Sequence, residues 1–161
     1  MAKEYEELFF CNVYERSIDS QHRVAIPSEW RGDYDIRLIM LPGRNRDLLL
    51  FPYDMFQDSL RNVRKQALAN AKVQAMLAWL GARIRECRCD KQGRIKLDAK
   101  MLESVGIDSK LKLIGATTHI KICAPENWIE EPDNQEIYLD ELQKISESDG
   151  FADLLKGLLD N

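Results

Sequence analysis

A short pattern occurs twice in this chain, and the repetition constrains the fold more than any other feature of the sequence. The first copy is Ser-Ile-Asp-Ser-Gln-His-Arg-Val-Ala-Ile, which contains Asp19 and Arg23. The second copy, 71 residues further on, is Arg-Cys-Asp-Lys-Gln-Gly-Arg-Ile-Lys-Leu, which contains Asp90 and Arg94. Each copy sets Asp-x-x-x-Arg between two short apolar runs, so the sequence predicts two equivalent turns, each joining two strands.

The agreement between the copies extends beyond the turns. A short helix is predicted after each turn, over residues 27–30 and 99–105, the second capped by Asp98 and ended by Gly106. Strands are predicted at 8–13, 24–26, 36–41 and 48–51 in the first copy and at 85–89, 95–97, 111–116 and 119–123 in the second. Both copies then continue into a proline-led segment, which indicates one element order used twice.

Between the copies the apolar period changes from that of a strand to that of a helix. Residues 53–64 and 69–84 are predicted to form a helical pair, and residues 134–145 and 151–159 two further helices near the C-terminus. The predicted organisation is a first repeat at 8–56, linking helices at 57–84, a second repeat at 85–130 and an acidic helical tail at 131–161.

The charge is distributed unevenly along the chain. A net charge of −4 argues by itself against a nucleic-acid partner. However, residues 126–161 carry eleven acidic side chains and two lysines, whereas residues 1–125 carry 21 basic and 16 acidic side chains. The repeat-bearing body is therefore mildly basic, and the tail is either a solvated acidic segment or a regulatory one.

The composition, 45% hydrophobic and 31% charged, is typical of a soluble globular protein. No apolar run approaches the roughly 18 residues of a membrane span, and the acidic N-terminus does not resemble a secretory signal. We therefore expect a cytoplasmic protein without a membrane partner.

The residue types in the repeated turn suggest separate roles. Asp19 and Asp90 are expected to stabilise the turns, because an aspartate at this position accepts hydrogen bonds from following backbone N–H groups. Gly93 suits a left-handed position, whereas His22 at the matching place tolerates that conformation less well. The two turns are therefore expected to differ in shape.

The arginines of the turns, Arg23 and Arg94, admit two interpretations. They are either solvated or aspartate-paired structural residues, or contacts to guanine edges and phosphates, which the planar fork of arginine donors fits. Loop arginines Arg44 and Arg46 are likewise either a solvated hairpin tip or extra phosphate contacts.

Taken together, Ile-Asp-Ser-Gln-His-Arg-Val-Ala-Ile-Pro, Cys-Asp-Lys-Gln-Gly-Arg-Ile-Lys-Leu and the helical segment between them resemble the MraZ family of bacterial transcriptional regulators. Leu-Ile-Gly-Ala from Leu113, His-Ile-Lys-Ile from His119 and Pro-Glu-Asn-Trp from Pro125 also match the second half of that family. The resemblance covers about residues 8–145. It departs at His22, where the family turn usually has glycine.

The resemblance implies an α+β fold with a mainly β core, made of two tandem AbrB-like swapped-hairpin repeats that form a small β-barrel with helical additions. It implies a ring-shaped homo-oligomer that binds repeated boxes in double-stranded DNA upstream of the division and cell-wall gene cluster, its own operon included, with repression the favoured outcome. Arg94 and Arg23 would contact DNA, with Lys91, Arg88 and His22 as further contacts. Localisation at the nucleoid follows from this hypothesis.

Other classes of function fit the sequence less well. No phosphate loop or catalytic set is evident, so neither an enzyme, a cofactor nor a small-molecule substrate is predicted. Cys87 and Cys89 are expected to be buried free thiols, because Cys-x-Cys matches few zinc sites. A thiol or metal protein is a rival hypothesis. The other rival is an oligomeric protein-interaction scaffold on the same fold. Residues such as Met76 and Trp79 are expected in the core or in a subunit contact.

Overall fold

The computed structural model describes residues 7–31, 36–130, 133 and 135–146, without the side chains of 142, 145 and 146. The chain divides into two compact units, Met1–Trp128 and Ile129–Asn161. The predicted helix at 151–159 lies outside the described residues.

The first unit is built on one antiparallel sheet of six strands in the order β1-β7-β8-β4-β3-β5. Its strands are β1 (Val13–Ser17), β3 (Arg37–Pro42), β4 (Asp47–Pro52), β5 (Arg85–Arg88), β7 (Lys110–Gly115) and β8 (Ile120–Cys123). Two short strands, β2 (Arg23–Ala25) and β6 (Arg94–Lys96), form a separate antiparallel ribbon. The fold is thus mixed α and β with a mainly β core.

The predicted small β-barrel is wrong as a closed structure. Among the described strands, β1 and β5 are the two edges of the sheet, and each pairs with only one neighbour in it. The turns at Asp19 and Asp90 direct the chain out of the sheet and into the ribbon, so β1 and β5 do not meet. The sheet is therefore open.

The strand order of the sheet is symmetric with respect to the two copies. Exchanging each strand for its counterpart in the other copy gives the same order, read from the opposite edge of the sheet. The counterparts are β1 and β5, β3 and β7, and β4 and β8. Pairing between copies joins β1 to β7, β3 to β5, β4 to β8 and β2 to β6. Among the described strands, the pairs that lie within a single copy are β3–β4 and β7–β8.

The first predicted strand, at 8–13, is wrong in its position. Phe10 forms only an isolated bridge with Thr117, and Asn12 has a positive φ of 75°, so regular pairing begins at Val13. Phe10 is nevertheless fully buried and packs edge-on against Trp30, with ring centroids 5.9 Å apart. Within this run Phe10 is buried, whereas Phe9 and Val13 are 64% and 40% exposed, so residues 8–13 are neither a regular strand nor a continuous part of the core.

The helices of the first unit are α1 (Ser28–Arg31), α2 (Tyr53–Ser59), α3 (Arg61–Ala67), α4 (Ala71–Arg83) and α5 (Ala99–Ser104), with a 3-10 turn at Pro125–Asn127. The link between the copies is therefore three helices, and the predicted pair is wrong. The first predicted helix divides at Leu60 (φ −85°, ψ −3°), and Asn70 caps α4 by accepting from the N–H groups of Lys72 and Val73.

The prediction for α5 is confirmed at both ends. The Asp98 carboxylate accepts a hydrogen bond from the Met101 N–H at 3.1 Å, as an N-cap residue does. Gly106 follows the helix with φ of 74°, the left-handed conformation that glycine adopts readily.

The core lies along the central strands of the sheet and beneath the ribbon. The largest fully buried side chains are Phe10, Val24, Leu38, Met40, Leu48, Leu50, Ile95, Leu97, Leu111, Leu113, Ile120 and Ile122. Asp47 is a buried charged residue in this core, and its carboxylate lies 3.1 Å from the Lys121 ammonium group. Both copies supply core residues, so they share one hydrophobic interior.

The second unit contains α6 (Gln135–Ser146), close to the predicted bounds. Ile137 and Tyr138 on this helix are exposed. None of the described helices in either unit is long and apolar enough to cross a membrane.

Replacing Leu50 tests the register of the central strands. Leu50 is fully buried and opposes Met40 on one side and Ile120 on the other. We expect Leu50→Ala to lower the free energy of unfolding by about 2–5 kcal/mol, because it leaves a cavity in the core. The neighbouring Leu49 is half-buried, so Leu49→Ala should cost less in urea denaturation. Equal losses would contradict the register.

Candidate functional site

The first repeated turn is organised by the carboxylate of Asp19. Its Oδ1 accepts from the N–H groups of Gln21 and Arg23, both at 2.9 Å. Its backbone N–H donates to the Arg23 carbonyl at 3.0 Å, and the His22 N–H donates to the Asp19 carbonyl at 3.0 Å. One side chain thus satisfies the donors of a turn that has no helix or sheet partner of its own.

The second turn repeats every one of these bonds. Asp90 Oδ1 accepts from Gln92 N–H at 2.9 Å and Arg94 N–H at 3.0 Å. Gly93 has φ of 77° and His22 has φ of 59°. The expectation that the two turns differ in shape is therefore wrong. His22 adopts the left-handed conformation that glycine usually supplies, which the shared hydrogen bonds impose on it.

The two turns also bond to each other across the ribbon. The Ile26 N–H donates to the Gly93 carbonyl at 2.9 Å, and the Leu97 N–H donates to the His22 carbonyl at 2.7 Å. The register sets Val24 opposite Ile95. These reciprocal bonds have local two-fold symmetry, so the ribbon places equivalent residues of the two copies side by side.

Each arginine is held by the aspartate of its own turn. Arg23 Nε lies 2.8 Å from Asp19 Oδ2, and Arg94 Nε lies 3.0 Å from Asp90 Oδ2. Arg94 Nη1 is also 3.9 Å from Asp19 Oδ2, so the two guanidinium groups converge on one carboxylate. Both side chains remain 28% exposed. Each arginine bonds to the aspartate of its own turn through Nε, so its Nη donors are not used within that turn.

The ribbon has a buried face and an outer face. Val24 and Ile95 point into the core, and Ala25 and Lys96 are exposed on the opposite side with the partly exposed arginines. Lys96 lies directly opposite Arg23 in the register. Like charges facing each other across strands are destabilising, which indicates a surface suited to an anion.

Lys96 is a residue that the sequence analysis missed. The signal was available, because Lys96 stands two residues after Arg94, and alternate residues of a strand share one face. The sequence does not show which strands pair. The pairing of β2 with β6 brings Lys96 beside the first turn as well.

The other predicted site residues do not all lie on the two turns. Lys91 and His22 are exposed on the turns themselves. Arg88 ends β5 and lies 3.3 Å from Glu86, which also pairs with Arg37, so its charge is partly engaged within the sheet. The structure thus brings four predicted residues, Arg23, Arg94, Lys91 and His22, to adjoining turns and leaves Arg88 on a neighbouring strand.

The electrostatics of the turns favour ionised aspartates. The backbone N–H of Arg23 is the main cause that lowers the pKa of Asp19, and its guanidinium and the Gln21 N–H act in the same direction. The Arg94 backbone N–H lowers the pKa of Asp90 in the same way. Both carboxylates are thereby fixed as anions that orient the arginines.

The cysteines do not form a comparable site. Burial raises the pKa of the Cys87 thiol to about 11, which keeps it protonated and unreactive at neutral pH. In the part of the chain that the structure describes, no group of three or more His, Cys, Asp or Glu side chains could hold a metal ion.

Curated proteins that are similar to this chain carry the name of a transcriptional regulator. The MraZ protein of Caldicellulosiruptor bescii is 30% identical over 137 residues, which cover 83% of this chain and 94% of that protein. Those of Thermoanaerobacter pseudethanolicus and Alkaliphilus metalliredigens are 28% and 26% identical, over 90% and 99% of their own lengths. No protein-family model matches the sequence.

The identity and coverage of these relatives establish that the chain belongs to the MraZ family. The family resemblance inferred from the two Asp-x-x-x-Arg turns is confirmed.

The lowered pKa values of Asp19 and Asp90 predict loss of stability in acid. A carboxyl whose pKa is lower in the folded protein stabilises the fold above its unfolded pKa of about 4, and this contribution disappears as the pH falls through the folded pKa. The free energy of unfolding of the wild type, measured in urea between about pH 5 and pH 2, should therefore fall. Asp90→Asn should reduce that pH dependence, because it removes one of the two carboxyls whose pKa is lowered in the turns.

Proposed function

We propose that this protein is a sequence-specific DNA-binding repressor of the bacterial division and cell-wall gene cluster, including its own operon. The observation that carries the proposal is the convergence of Arg23 and Arg94 on Asp19, on two turns with the same hydrogen bonds. The names of the relatives as transcriptional regulators support it. The protein would then act in the cytoplasm, at the nucleoid.

The shape of the ribbon suits the major groove of DNA. That groove admits a two-stranded β-ribbon, and arginine can bind the O6 and N7 acceptors of guanine through two donors. Each arginine is oriented by an aspartate through Nε, so its Nη donors can point to a base edge or a phosphate. Preorganisation of this kind reduces the side-chain entropy that binding would otherwise remove.

Further cations would supply phosphate contacts around the arginines. Lys91 and Lys96 are exposed beside the second turn, His22 is exposed on the first turn, and Arg88 lies on the neighbouring strand β5. Phosphate contacts position a protein on DNA without specifying the sequence. A local cluster of this kind explains how a chain with a net charge of −4 could bind a polyanion.

We also propose that the chain contains two AbrB-like swapped-hairpin repeats, at 8–56 and 85–130, joined by linking helices at 57–84. The symmetric strand order and the pairings between copies support this assignment. Residues 131–161 would form the acidic helical tail.

Assembly into a ring would multiply the few contacts that one ribbon makes. Linked binding sites on repeated DNA boxes can raise apparent affinity by about 10²–10⁴-fold. Helix α4 supports self-association, because it has no buried residue and exposes Met76 and Trp79, which are 48% and 58% exposed. Large apolar side chains on a surface helix are typical of a contact between subunits.

Arg94→Ala tests the role of the turns in DNA binding. We expect it to lower affinity for DNA from upstream of the gene by about tenfold or more at moderate salt, because a bidentate base contact contributes about 1–3 kcal/mol of discrimination. Arg23→Ala should act in the same direction. The measurement is fluorescence anisotropy over a salt series, with scrambled DNA and the charge-matched Arg61→Ala variant as controls.

Two results would contradict the proposal. If Arg94→Ala and Arg61→Ala bind DNA equally well, the turns do not contact it. If wild-type protein binds native and scrambled DNA equally and weakly, the hypothesis of an oligomeric protein-interaction scaffold replaces that of a DNA-binding regulator.

Trp79→Ser tests the part that α4 has in assembly. The Trp79 ring is exposed and packs against the Arg83 guanidinium group at 4.3 Å, so its loss should leave the fold intact. We expect the average mass measured by light scattering at a given concentration to fall. The midpoint of thermal unfolding of the monomer should stay the same. An unchanged mass would exclude this face from the subunit contact.

A further inference from the structure

Gly93 has no side chain, and the side chain of another residue occupies the space beside it. It is buried, whereas His22 at the matching place is exposed. A Cβ atom at Gly93 would fall 2.7 Å from Nε of Arg31 and closer still to its Cζ. The Arg31 guanidinium group therefore lies directly over the second turn, in the space that the glycine leaves open.

Arg31 is fixed in this place by the ribbon. It is the last residue of α1, and its Nε donates to the Ile26 carbonyl at 3.1 Å. The N–H of the same Ile26 donates to the Gly93 carbonyl at 2.9 Å. One residue thus connects Arg31 to the turn that carries Arg94, and the geometry of the turn determines where the guanidinium lies.

The first turn is completed differently. The repeat spacing of 71 residues makes Leu102 the counterpart of Arg31. His22 and Leu102 line a pocket of about 400 Å³ together with Ala99. The counterpart of Arg31 at this turn is the buried, uncharged Leu102, and the position that matches Gly93 holds the exposed side chain of His22. This explains why the first copy accepts histidine where the second has glycine.

The ion pairs that the described residues form at the two turns do not include Arg31. Asp19 and Asp90 are each engaged by the arginine of their own turn, and among the described residues Arg31 donates to a neutral carbonyl without forming an ion pair. A further guanidinium beside Arg94 adds positive charge to an already cationic surface. Such an arrangement is favourable when an anion lies across it.

We propose that Arg31 is a further phosphate-binding residue, held beside Arg94 by the space at Gly93. The ligand is a phosphate group of the nucleic-acid backbone, and this inference rests on the proposed DNA-binding function. The second turn would then present two arginines, Arg94 and, from the first copy, Arg31, and the first turn would present Arg23 with His22. The two halves of the ribbon would contact DNA unequally.

Four variants test the inference: Arg31→Ala, Gly93→Ala, the double variant and Arg61→Ala as the charge-matched control. Binding to the upstream DNA is measured by anisotropy over a sodium chloride series, and folding by thermal denaturation. Arg31→Ala should lower affinity by roughly 3- to 10-fold and reduce the slope of log affinity against log salt by about 0.9, the value for one phosphate contact. Gly93→Ala should weaken binding similarly, because its methyl group displaces the Arg31 guanidinium.

The double variant separates the outcomes. If Gly93 acts by making room for Arg31, the double variant binds DNA no more weakly than Gly93→Ala alone. Multiplied effects would overturn that link. If Arg31→Ala keeps the salt slope of Arg61→Ala while Arg94→Ala loses affinity, the role of Arg31 is wrong and the proposed function stands. If folded wild-type protein does not prefer the native DNA, both the inference and the proposed function are wrong.

Discussion

The site depends on one interaction, the capture of a tight turn by an aspartate carboxylate. In each copy one oxygen accepts two backbone N–H groups, and the other accepts the Nε of the arginine that ends the turn. The same group therefore fixes the backbone and the direction of the arginine. Because the bonds are identical in the two copies, they impose one backbone conformation on both His22 and Gly93.

Much of this arrangement could be predicted from the sequence because it is local. The roles of Asp19 and Asp90, the cap at Asp98 and the left-handed Gly106 depend on residues a few positions apart. Local hydrogen bonds of this kind follow from residue type and spacing alone. The prediction for the shape of the first turn was wrong. Histidine disfavours the left-handed conformation, but the four hydrogen bonds of the turn hold His22 in it.

The rest could not be predicted, because it depends on which strands become neighbours. Lys96 belongs to the site only through its register with Arg23, and Arg31 only because α1 of one copy lies over the turn of the other. The open sheet was missed for the same reason. The break at Leu60, where the first predicted helix divides, had no signal in the apolar period.

The symmetric strand order has a consequence for folding. Without the second copy, the first would retain only the β3–β4 hairpin, and β1 and β2 would have no partner. An isolated two-stranded hairpin is marginally stable at best in water. Neither copy is thus an autonomous folding unit, and most strand pairs must form between residues far apart in sequence, which slows folding. The molecule is in effect a dimer whose two halves are joined by a covalent linker. The sequence of one turn can therefore change while strand pairing with the other half maintains the fold.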